Sequence, residues 1–121
     1  GKAYRARRRC DEVMCIIKSI DLQAMNREEA RRVEQEARLL ERLRHPQIVA
    51  HLETFMHRQN LCIVMEYCAG GDLEQWIARQ RRRVPSRHKI LVLFSQICLA
   101  LEHVHAIRVI HRDVFFMNFA D

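Results

Sequence analysis

The 121-residue chain has little glycine and proline, three and two residues respectively. No flexible linker, low-complexity tract or internal repeat interrupts it. Aromatic residues make up only 7%, too few to interleave with the basic residues as a base-stacking surface requires. No apolar run is expected to approach the roughly 20 residues that span a bilayer. No apolar stretch followed by a small-residue cleavage site opens the chain, so no signal peptide is expected. The five cysteines, at 10, 15, 62, 68 and 98, form no CxxC pair. Three of them lie inside apolar segments, which reads as a reduced, intracellular protein.

What is present suits one compact domain. Hydrophobic residues reach 49% and charged residues 30%, enough for a core and too apolar for a disordered chain. The net charge of +6 is local. Arg5, Arg7, Arg8 and Arg9 form one cluster, and Arg79, Arg81, Arg82 and Arg83 another. Both read as solvated faces, with an acidic partner surface or a phosphate as the sharper alternative. No nucleic-acid and no membrane partner is expected.

The coarse pattern is α+β: strand, strand, helix, strand, strand, then mostly helix. Strands are expected over 3–9 and 12–20, around the polar turn Cys10-Asp11-Glu12. A helix is expected over 27–44, with Asn26 as N-cap, acids in its first turn and Pro46 beyond its end. Residues 48–56 and 61–67 read as a hairpin around His57-Arg58-Gln59-Asn60. Gly70-Gly71 breaks the chain, and Asp72 caps a short helix towards Arg83. Ser86 then caps a long helix, apolar at 90, 94, 97, 101 and 104 with 91 and 98 in a second stripe. A helix apolar over so much of its circumference is expected to be buried. His51, His57, His88 and His103 read as surface groups rather than metal ligands, and Trp76 as packing for the short helix.

One carboxylate stands out. On a wheel of about 100° per residue, Val33, Leu39, Leu40 and Leu43 lie within about 60° of Glu36. Two readings stay open: Glu36 sits at the rim of the stripe and reaches water, or it meets a cation from a neighbouring element. Lys18, closing the apolar run Val13-Met14-Cys15-Ile16-Ile17, is the candidate cation, since a buried carboxylate without a partner costs several kcal/mol. A second feature is His111-Arg112-Asp113, followed after four residues by Asn118. An aspartate and an asparagine held in one loop can share a hydroxyl proton and a divalent cation.

Lysine ending a strand, glutamate in the next helix, Met65-Glu66-Tyr67-Cys68, and His-Arg-Asp with Asn118 occur in the order of a eukaryotic protein kinase domain. The chain resembles that family over nearly its whole length. Leu43-Arg44-His45-Pro46-Gln47-Ile48-Val49 looks like the connection from helix C to the following strand. The opening Gly1-Lys2-Ala3-Tyr4 and Ile63-Val64-Met65-Glu66-Tyr67-Cys68, followed by Gly70-Gly71-Asp72-Leu73, are most similar to NIMA-related (Nek) serine/threonine kinases.

The resemblance implies a kinase-like N-terminal lobe over 1–67, an antiparallel sheet plus helix C, and the first helices of the C-terminal lobe over 68–121. It implies truncation at both ends. ATP and magnesium are the implied substrate and cofactor, and a protein the partner; oligomeric state stays open. Gly1 matches the last glycine of the loop that covers the phosphates. Lys18 matches the lysine that grips them, and Glu36 the acid that holds that lysine. Ala3 and Ile16 fall over adenine, Met65 at the gatekeeper position, Glu66 and Cys68 in the hinge, and Asp72 near the ribose. Asp113 matches the catalytic base and Asn118 the magnesium ligand.

Departures from the pattern leave a second reading open. Phe115 stands where serine/threonine kinases carry a lysine facing the γ-phosphate, and Ala120 replaces a larger apolar residue. Ile16 and Ala3 stand where a small residue and a valine are usual. The Asp-Phe-Gly metal motif is not in the chain, so this chain alone is expected to be inactive. The alternative to an active kinase is an inactive kinase-like binding module. By resemblance, the location is cytoplasmic, with cytoskeleton or centrosome association.

Overall fold

The computed structural model of the chain describes residues 1–80 and 83–107. They form two units. The first comprises Gly1–Arg44 with Ala50–Tyr67, and the second His45–Val49 with the residues from Cys68 onward. The connection at 45–49, expected in the first lobe, therefore groups with the second unit.

The first unit is a four-stranded antiparallel sheet with one helix. Its strands are β1 (Lys2–Arg7), β2 (Met14–Asp21), β3 (His51–His57) and β4 (Asn60–Glu66), in the order β1-β2-β4-β3. The central strand β4 buries Leu61, Cys62, Ile63 and Val64 in succession. A continuous apolar run is what a strand covered on both faces needs. The edge strands are more polar. The β3–β4 hairpin is tighter than its four-residue reading. Arg58 and Gln59 alone connect the strands, with φ of 46° and 66°. A two-residue turn with both centres left-handed matches the right-handed twist of the strands, but strains residues that carry a Cβ.

Helix α1 spans Arg27–Arg42, starting where expected and ending two residues short of Arg44. Asn26 Oδ1 accepts from the Glu29 N–H at 2.8 Å, and Glu29 Oε2 accepts from the Asn26 N–H at 3.0 Å. This reciprocal capping box satisfies two otherwise orphaned donors. Ala37, 2% exposed, is the centre of the helix's buried face. It packs against Leu61 and Ile63 of β4, with Ile20, Leu22, Val33, Leu40 and Met65 around them.

The second unit carries two helices. α2 (Leu73–Arg79) is capped by Asp72, whose carboxylate accepts from the Gln75 N–H at 2.8 Å. It stops four residues before the expected Arg83. Arg79 donates to the Gly70 carbonyl, folding the last turn of α2 back onto the Gly70-Gly71 break. α3 (Arg87–Ala106) starts at its expected cap, Ser86, and runs one residue beyond 105. The expectation that α3 is buried does not hold. Ala100 and Val104 are buried, but Ile90, Leu91, Val92 and Leu99 are exposed, and Phe94 is 62% exposed.

By length and composition alone, α3 is also apolar enough to cross a bilayer. This revises the sequence reading that no apolar run approaches the length that spans a bilayer. Averaged over the helix, the aliphatic residues outweigh the polar and charged ones. Core helices of soluble proteins pass the same test, so the feature by itself assigns no membrane.

Candidate active site

In an antiparallel pair, residues directly opposite each other project to the same side of the sheet. Ala3 lies opposite Lys18, and Lys18 opposite Ile63. One step along, Arg5 lies opposite Ile16, and Ile16 opposite Met65. Ala3, Ile16, Lys18 and Met65 thus share one sheet face. It is the face on which Ile63 and Met65 meet α1. Gly1 stands just before β1, and a Cβ there would come within 3.1 Å of the Ser19 carbonyl oxygen. That is tighter than nine in ten real contacts of this kind, so a side chain at this position would require β2 to give by a few tenths of an ångström.

Lys18 is exposed on this face, and Glu36 is exposed on α1. No ion pair joins them; the ion pairs of the described residues are Arg7–Glu12, Arg8–Asp11, Arg32–Glu28 and His51–Glu41. Of the two readings of Glu36, the structure takes the rim. The reason lies in the helix. Leu43 has extended backbone and falls outside the wheel. The helix residues packed on the sheet, Val33, Ala37 and Leu40, centre about 65° from Glu36. Alanine is small enough to pass for a neutral position in a pattern of large apolar residues, yet here Ala37 is the buried residue of the helix, packed with Leu61 and Ile63.

Glu66, at the end of β4, is fixed from one side. Its N–H donates to the Ala50 carbonyl at 3.0 Å, while its Oε1 accepts from the Ala50 N–H at 2.8 Å. The Glu66 side chain is therefore turned to the start of β3, and what it offers to a ligand is backbone. In the second unit, the Cys68 carbonyl accepts from the Gly71 N–H at 3.1 Å, and Gly71 has a φ of 72°. Asp72 uses Oδ1 to cap α2, leaving Oδ2 as the oxygen for any further contact. Asp113, Asn118 and Phe115 lie outside the described residues.

Two contacts were not anticipated. The Arg5 guanidinium lies over the Tyr67 ring, 5.9 Å from its centroid. His51 Nε2 is 2.6 Å from Thr54 Oγ1 and 3.9 Å from Glu41 Oε1, joining the start of β3 to the last turns of α1. Neither His51 nor His103 is the surface group expected; His51 is largely covered, and His103 Nε2 is buried without a hydrogen-bond partner. A signal for Arg5 was available, since it alternates in step with Ala3 along β1. The arginine cluster is otherwise partly neutralised. Arg8 Nε donates to Asp11 Oδ1 at 2.9 Å, and this hydrogen bonding lowers the Asp11 carboxyl to about 2.

Among the described residues, no three His, Cys, Asp or Glu side chains group as a metal site. Asn118, the implied magnesium ligand, is not among them. An anion fits better. Lys18 is exposed on the sheet face and makes no ion pair among the described residues, so its ammonium can attract an anion.

A small four-stranded antiparallel sheet with one helix against one face is consistent with the N-terminal lobe of a protein kinase. The protein kinase domain family matches residues 1–119. The chain belongs to that family, and Nek serine/threonine kinases are among the curated proteins it is similar to. Serine/threonine-protein kinase Nek5 of Homo sapiens is 43% identical over 118 residues, covering 98% of this chain and 17% of that protein. Nek1 of Mus musculus is 38% identical over 118 residues, covering 98% of this chain and 10% of its own length. Nek3 of Mus musculus is 48% identical over 83 residues, 69% of this chain and 16% of that protein. The chain thus spans less than a fifth of the length of these curated relatives.

Proposed function

We propose that the protein containing this chain is an ATP-dependent serine/threonine kinase, and that residues 1–67 and 68–121 belong to its N- and C-terminal lobes. The observation that carries this reading is the single sheet face shared by Ala3, Ile16, Lys18 and Met65. Lys18 holds the α- and β-phosphates of ATP. Ala3 and Ile16 cover the adenine, and Met65 limits the depth behind it. The backbone at Glu66 hydrogen-bonds its edge, and the resemblance gives Cys68 a share in that contact and Asp72 the ribose. Glu36 contributes only when α1 turns about its axis to bring the carboxylate towards Lys18.

Asp113 accepts the proton of the attacking protein hydroxyl, and Asn118 is the residue that would hold magnesium. When bound, the metal neutralises charge on the β- and γ-phosphates. Positioning and charge neutralisation supply the barrier lowering, since phosphoryl transfer asks for little else from the protein. The partners are ATP and a protein substrate. A cytoplasmic, cytoskeleton-associated location suits the buried thiols Cys15 and Cys62 and the Nek relatives.

A second reading has its own support. With Phe115 in place of a cation and Glu36 away from Lys18, the domain is an inactive module that binds nucleotide or partners. Transfer of radiolabel from ATP to casein by the full-length protein decides between them. Incorporation abolished by Asp113→Asn is expected for the kinase. ATP binding without transfer establishes the module.

A further inference from the structure

We propose that Arg5 is a positioning residue for the nucleotide, acting through Tyr67; this rests on the reading of the sheet face as an ATP site. Arg5 stands in the same cross-strand row as Ile16 and Met65, on the face that carries Lys18. Its strand neighbour Arg7 is paired with Glu12, and Arg8 with Asp11. Arg5 makes no ion pair among the described residues. Its guanidinium instead lies 5.9 Å from the centroid of the Tyr67 ring, within the range at which a cation is attracted to an aromatic face.

The location of Tyr67 gives this contact its consequence. The sheet ladder ends at Glu66, which the Ala50 bonds fix at 3.0 and 2.8 Å. Tyr67 is the first residue beyond the ladder and the last of the first unit. The ring contact is therefore a tie between β1 and the segment that must hold its backbone still to meet an adenine edge. An exposed cation–π contact is weak. Removing it is expected to lower nucleotide affinity about two- to fivefold rather than abolish binding. It should also speed hydrogen exchange at the Tyr67 and Cys68 amides, because those groups lose one of their restraints.

Magnesium-ATP is titrated calorimetrically into the wild-type chain and into the Arg5→Ala, Arg5→Lys, Tyr67→Leu and Tyr67→Phe variants, with amide exchange followed in the absence of nucleotide. Arg5→Ala and Tyr67→Leu are expected to weaken binding alike and to speed exchange alike. The double variant should be no worse than either alone. Arg5→Lys and Tyr67→Phe keep a cation and a ring, and are expected to retain most of the affinity. If the two losses simply add, or Arg5→Ala leaves both affinity and exchange unchanged, the tie is refuted. If wild type binds no ATP, the nucleotide reading falls and the positioning role with it, while exchange still reports whether the contact restrains Tyr67.

Discussion

Ala37 and Glu36 are adjacent in sequence and opposite in consequence. Ala37 is 2% exposed and packs on Leu61 and Ile63, which are 5% and 4% exposed. Replacing it with leucine drives three more carbons into this buried contact with β4. Overpacking of this kind costs about 1–3 kcal/mol, a large part of a domain stability of about 5–15 kcal/mol. Glu36 is exposed and has no ion-pair partner, so Glu36→Ala is expected to stay within about 0.5 kcal/mol of wild type. Urea unfolding of the three chains, followed by circular dichroism, measures both. A neutral Ala37→Leu beside a costly Glu36→Ala would mean that α1 presents the other face to the sheet. The same Glu36→Ala variant should lose activity if the full-length protein is a kinase, separating what stability needs from what catalysis needs.

Other outcomes follow from local geometry. Asn26→Ala removes the side-chain half of the capping box and should destabilise by about 1 kcal/mol. Replacing Arg58-Gln59 by Asn-Gly relieves two left-handed backbones and should raise the urea midpoint, by about 1 kcal/mol or more in stability. Because its carboxyl is lowered, Asp11 contributes stability above its unfolded value. That contribution fades as pH falls from about 4 towards the folded value of about 2. A carbon-detected NMR titration should show Arg8→Ala returning Asp11 towards 3.8.

Much of this architecture is visible in the residues themselves. The apolar runs around Ile16 and Ile63, the Asn26 and Ser86 caps and the Gly70-Gly71 break act locally, and local patterns locate all of them. What pattern reading misses is set by neighbours. The orientation of α1 depends on Ala37, whose small size matters only once β4 is beneath it. Arg5 reads as one of four similar arginines until the strand register distinguishes it from Arg7 and Arg8. The exposure of Phe94 is likewise a property of what surrounds α3, because its periodicity is equally consistent with burial. The shared face of Ala3, Ile16, Lys18 and Met65 requires the β1-β2-β4 register, which no single strand encodes.

The central claim is that this sheet face grips a polyphosphate through Lys18. Calorimetric titration of magnesium-ATP into the wild-type chain and Lys18→Ala tests it most directly. A charge-assisted contact worth about 1.5–3 kcal/mol predicts measurable binding by wild type and a loss of about tenfold or more in the variant. Equal affinity in the two chains, or no binding by wild type, would contradict the account.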